Sequence, residues 1–121
     1  MPAAYEALVA ALKATDIPFE EYGWKTRPQG IHGVITPDME ADSLDGDGEK
    51  LDRSWDTSID VFFTRKADRR TVITTVENIL RNHCGSCWIM NSSQYETTTR
   101  LFHIEWTCET TGDITPEAGG N

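Results

Sequence analysis

The chain has 121 residues and a formal net charge of −9. That length predicts one domain, able to bury roughly two-thirds of its unfolded surface, and clustered apolar residues making up 38% of the chain predict a folded protein and not a disordered one. The acidic balance argues against a nucleic-acid-binding surface, which needs clustered Lys and Arg, and against attraction to anionic lipid headgroups.

The N-terminal stretch MPAAYEALVAALKATD lacks a basic n-region and carries Glu6 early, so it reads as a helix and not as a signal peptide. Without an export signal the thiols are expected to meet a reducing cytosol, and three cysteines do not suit a disulfide framework. No apolar run approaches the length of a membrane-spanning helix. Tyr5, Leu8, Val9 and Leu12 fall at helical spacing within residues 3–14, with Asp16 and Pro18 ending the helix. Phe19–Trp24, FEEYGW, reads as a short extended segment, and a second apolar piece, IHGVIT, lies around Gly33. Residues 37–50 form an acidic, glycine-containing stretch, expected as a long hairpin connection or loop through about residue 52.

From Leu51 to Phe63 the pattern alternates. Leu51, Trp55, Ile59, Val61 and Phe63 share one side with Arg53 and Thr57, while Asp52, Ser54, Asp56, Ser58, Asp60 and Phe62 share the other. Period-2 alternation over this length predicts a long strand with one wet face. After Lys66 the period becomes helical. Val72, Ile73, Val76, Ile79 and Leu80 mark the inner face, Asp68 is a candidate N-cap, and Gly85 a candidate stop. Two further strands follow, in SCWIMNSSQYE and TTTRLFHIEWTCE. In the second, Phe102, Ile104, Trp106 and Cys108 lie on one face and Leu101, His103, Glu105 and Thr107 on the other. Strands joined by short turns pair antiparallel, and two helices cover one face of their sheet. The expected fold class is therefore α+β: an antiparallel sheet with two helices on one face, in a single domain over residues 1–109, followed by a flexible tail over 110–121.

Three constellations bear on chemistry. HCGSCW, His83–Trp88, contains a CxxC pair. A thioredoxin-like centre opens a helix with its CxxC and lowers the thiolate pKa at the helix N-terminus. Here the pair follows a helix and precedes a strand, so the helix dipole is expected to raise the Cys84 thiol. Cys84, Cys87, Cys108 and His83 or His103 are the candidate zinc ligands. Cys108 alternates with core residues and His103 with their opposites, however, so the expected reading is a turn plus a core thiol, with no metal. The acidic run DSLDGDGEKLD, residues 42–52, fails the EF-hand spacing: with Gly48 in the sixth position, Ser43 and Ser54 occupy the first and twelfth. His32, His83 and His103 are scattered, with no nucleophile motif beside them. No catalytic or cofactor-binding residue is expected, and no cofactor. The four tryptophans fall in strands or at their ends, where packing and subunit contact account for them better than base stacking does.

The helix followed by GIHGVI, the acidic stretch with DGD, then SIDVFFTR, a helix, and CGSCWIMNSSQYETTTRLFHIEWTCE resembles the small tail-completion proteins of long-tailed bacteriophages, the tail terminators and related neck proteins. The likeness spans roughly residues 3–109. HCGSCW is not a feature of that family, and this sequence departs from it there. The resemblance implies a virion structural protein, active in the host cytoplasm during assembly and resident in the tail or neck. It implies a homo-oligomeric, hexameric ring on the tail tube protein that ends polymerisation and joins the tail to a head connector or stopper protein. DNA would pass through the channel without specific binding. Such proteins work through surfaces, so no residue-level site carries over; in this sequence the residues expected at subunit or partner contacts are Trp55, Asp56, Asp45, Asp47 and Tyr95. The rival expectations are a head-side connector or stopper in the same neck, and a small Cys/His metal-binding domain.

Overall fold

A computed structural model describes residues 3–38 and 54–111. The elements in chain order are helix α1 (Ala3–Lys13), strands β1 (Phe19–Glu21), β2 (His32–Asp38) and β3 (Ser54–Phe63), a single 3-10 turn (Lys66–Asp68), helix α2 (Arg69–Cys84), and strands β4 (Trp88–Glu96) and β5 (Leu101–Thr111). The fold is α+β. The five strands form one sheet in the order β1-β2-β3-β5-β4. It is a mixed sheet, not a wholly antiparallel one: β1 runs parallel to β2, and every other pairing is antiparallel. The connection through residues 22–31 returns the chain in its original direction, which a tight hairpin cannot do.

β1 stops at Glu21 and does not continue through FEEYGW. Tyr22 has φ 69 and Gly23 φ 131, a left-handed kink that ends a strand. β2 extends into the expected 37–52 connection, taking in Pro37 and Asp38; the rest of that connection, and Arg53, lie outside the described residues. Proline within a strand has a local explanation here. The Tyr22 N–H donates to the Ile35 carbonyl and the Gly33 N–H to the Pro18 carbonyl, so the odd residues of β2 present their backbone groups to β1. Pro37 continues that phase beyond the last β1 pair, Glu21 with Ile35. Its missing N–H therefore deprives no neighbouring strand. Gly33 sits opposite Phe19, and a Cβ there would run into the Phe19 ring.

Alternation sorts the long strands as expected. Thr57, Ile59, Val61 and Phe63 of β3 lie opposite Cys108, Trp106, Ile104 and Phe102 of β5. Together with Ile35 they form the floor on which Tyr5, Leu8 and Leu12 of α1 and Val72, Val76 and Leu80 of α2 pack. Trp106, with no exposed surface, donates from Nε1 to Glu77 on α2 at 3.0 Å, satisfying its polar edge inside the core. Asp68 does not cap α2: it is itself helical and makes no side-chain cap bond, because the 3-10 turn has already begun the helical path. Gly85, at φ 58, does end the helix. Thr110 and Thr111 belong to β5, so strand pairing continues two residues past the expected boundary at 109. No helix among the described residues is long and apolar enough to cross a membrane.

Candidate functional site

Both helices lie on one side of the sheet, and the other face is the candidate working surface. The strand register arranges it in rungs. The first reads His32, Phe62, His103, Gln94 across β2, β3, β5 and β4. The chain after β1 folds over part of it. Trp24 Nε1 donates to the Gly33 carbonyl at 3.0 Å and meets the His32 ring edge-on. His32 stacks on Phe62 at 5.3 Å and Phe62 on His103 at 4.3 Å between ring centres. The Arg27 guanidinium lies 5.4 Å from the centre of the Phe62 ring.

His103 closes this stack and is held at both nitrogens. Nε2 is 2.6 Å from Asp60 Oδ1 and Nδ1 is 2.7 Å from Glu96 Oε2. A neutral imidazole has one N–H, whereas two carboxylate acceptors favour the form with two. The bond to Asp60 and the bond to Glu96 accordingly hold the His103 pKa above its ordinary value, against burial. The same contact pulls the Glu96 carboxyl below its own.

The second rung is Val34, Asp60, Glu105, Ser92, the third Thr36, Ser58, Thr107, Ile89, and the fourth Asp38, Asp56, Glu109. The fourth places three carboxylates in register on three neighbouring strands. Like charges directly opposite one another repel across a sheet, so this rung concentrates negative charge at one end of the face.

The expected contact residues separate. Asp56 is in the acidic rung. Tyr95 is exposed on β4, its ring edge-on to Phe102 at 4.9 Å. Trp55 lies on the helix side, stacked on Tyr5, with its indole nitrogen buried and without a partner among the described residues, so it belongs to the margin of the core. Asp45 and Asp47 lie outside the described residues.

The CxxC segment is a turn that links α2 to β4. The Cys87 N–H donates to the Cys84 carbonyl at 2.8 Å, and the Cys87 carbonyl accepts from Glu109 N–H at 2.9 Å. Trp88 Nε1 donates to the Gly85 carbonyl, and Arg81 lies over the Trp88 ring. Cys84 and Cys108 are buried and Cys87 is exposed; all three are free thiols. Contact with Cys84, then burial, pushes the Cys108 thiol far up. The two thiols share this contact, which lowers the Cys84 thiol as it raises that of Cys108. His83 sits at the last turn of α2. The described residues bring no group of three or more His, Cys, Asp or Glu side chains into a metal-binding arrangement, so Cys84, Cys87, Cys108 and His83 are not assembled into one site there.

Sequence reasoning missed the clamp on His103. His32 and His103, scattered along the chain, share a rung with Phe62 between them. The available signal was that Asp60, Phe62 and His103 all belong to the outward sets of their strands. Register decides which of them meet, and register is not written in one strand alone. No protein-family model and no curated protein matches the chain.

Proposed function

We propose that this protein is a structural subunit of a phage tail: a ring-forming terminator that caps the head-proximal end of the tail tube, ends its polymerisation and presents a docking face to the head connector. One observation carries the reading. Among the described residues, both helices cover one side of the sheet, and the other side, crossed in part by the chain after β1, aligns carboxylate residues in register, Asp38 beside Asp56 beside Glu109. A face built in this way suits a protein that acts through assembled surfaces. Its negative potential, with a net charge of −9 per copy, supports a channel through which DNA slides, because phosphates are repelled and not bound. The likeness in layout to tail-completion proteins supports the same role.

The test is a polymerisation assay with the cognate tail tube protein. Adding this protein is expected to shorten the tubes and to leave one ring at a single end of each tube by electron microscopy. Unchanged tube lengths, with no density at tube ends, overturn the proposal. Rings that bind the head connector but leave tube growth unaltered assign the protein to the head side of the neck.

A further inference from the structure

The two edges of the sheet are unlike. β1 is three residues long, follows Pro18 and carries Glu20 and Glu21. Short, charged, proline-flanked edges resist unwanted pairing. β4 is nine residues long and has a single charged side chain, Glu96, which is committed to His103. Its only interruption is a bulge between Met90 and Ser92. Such an edge is a ready template for another strand.

Three observations say which strand. The first is direction. β4 runs antiparallel to β5, β5 to β3 and β3 to β2, while β1 is parallel to β2; β4 is therefore antiparallel to β1. A neighbouring copy placed alongside in the same orientation brings its β1 antiparallel to this β4, the sense in which strands of separate hairpins commonly join. The second is level. Ile89 and Tyr22 are the most exposed large hydrophobic side chains among the described residues, 61% and 63% exposed. Ile89 ends the rung Thr36, Ser58, Thr107, Ile89. Tyr22 directly follows the Glu21–Ile35 pair, the last of β1, its N–H on the Ile35 carbonyl. The two apolar side chains thus stand at opposite edges of the sheet, Tyr22 next to the Ile35 pair and Ile89 on the adjoining rung. A cleft of about 310 Å3, lined in part by Trp88, Ile89 and Thr107, opens beside β4.

The third is charge. α1 borders β1, with Tyr5 bonded to Glu21, and residues 3–21 carry four acidic side chains and one lysine. α2 borders β4, with Arg69 bonded to Ser93 and Arg81 over Trp88, and residues 65–84 carry five basic side chains and two acidic ones. Pairing β4 with β4 sets two basic helices against each other; pairing β4 with β1 sets basic against acidic. Complementary charge fixes register and suppresses the wrong partner.

We infer that copies of this chain join head to tail, the β4 edge of one against the β1 edge of the next, with Tyr22 packed on Ile89 of its neighbour. The inference rests on the reading of the protein as a ring subunit and supplies the contact. A repeated heterologous contact of this kind closes into a ring or runs on as an open filament.

Disulfide trapping tests it in the full chain, with Cys87→Ser removing the exposed thiol. Tyr22→Cys and Ile89→Cys variants are prepared separately, mixed, and oxidised with diamide, which takes up the two thiol hydrogens as the S–S bond forms. Cross-linked dimers are expected in the mixture and in neither variant alone. A variant carrying both substitutions is expected to give a ladder that ends at the ring size. Self-linking of Ile89→Cys alone means a β4–β4 contact and overturns the inference. So does an oligomer by light scattering that fails to cross-link in the mixture, an outcome that leaves the ring reading standing. A ladder that never closes keeps the contact and overturns the ring. A strictly monomeric protein overturns both.

Discussion

His103 is the side chain whose surroundings do most to define the face opposite the helices. Asp60 and Glu96 each accept from one of its ring nitrogens, and Phe62 stacks on its ring. His103→Ala leaves the two carboxylates without their cation beside Glu105, and is expected to cost about 2 kcal/mol in urea unfolding, the range of charge-assisted hydrogen bonds. The pH dependence has a definite sign. The folded-state pKa of His103 is raised, so its contribution is fully present below its ordinary value of 6.5 and is lost as pH rises through the raised value. Glu96 is lowered from 4.5, so its share is present above that value and is lost as pH falls through the lowered one. Urea midpoints measured across pH are expected to decline on the alkaline side of 6.5 in the native protein, and to lose that decline in His103→Ala. Thr57 works in the opposite direction. Its hydroxyl is fully buried and has no partner among the described residues, so Thr57→Val, which keeps the shape and removes the desolvated group, is expected to stabilise the fold by about 1 kcal/mol in thermal unfolding.

At the scale of elements, close approach and turn geometry matter more than propensity. β2 passes under Phe19 only because residue 33 has no side chain. Gly33→Ala is expected to cost about 1–3 kcal/mol through overpacking, while Gly30→Ala, with open space around its Cβ position, is expected to change little; thermal melts of the two compare them directly. The turn after α2 sorts the three thiols. Exposed Cys87 is expected to react with a thiol reagent within minutes, and buried Cys84 and Cys108 only on unfolding, which mass spectrometry of the labelled chain reads directly. The alternations of Ser54–Phe63 and Leu101–Cys108 make most of the sheet legible in the sequence, because each long strand must bury one side-chain set. β1 was less legible. Three residues give too little period to set direction, and the kink at Tyr22 is a non-glycine exception to backbone preference. Asp68 is a suitable cap residue in sequence, but the preceding turn removed the open N–H groups that a cap would serve.

For the molecule as a whole, one face of the sheet is spent on the core and the other on charge. The inner face was readable from spacing; the outer one was not, since the acidic rung and the His103 clamp each need three strands in register. Separate outward residues such as Asp38, Asp56 and Glu109 look ordinary until β2, β3 and β5 align them. The two edges, one short and acidic and one long and nearly uncharged, then give the sheet a direction in which copies can add. The ring and its proposed contact both require self-association, which native mass at micromolar concentration measures. For a 13.6 kDa protomer, light scattering is expected to give one discrete species of ring stoichiometry, with six copies the expected number, and electron microscopy to show closed rings of that mass. A single species at the protomer mass across all concentrations would contradict it.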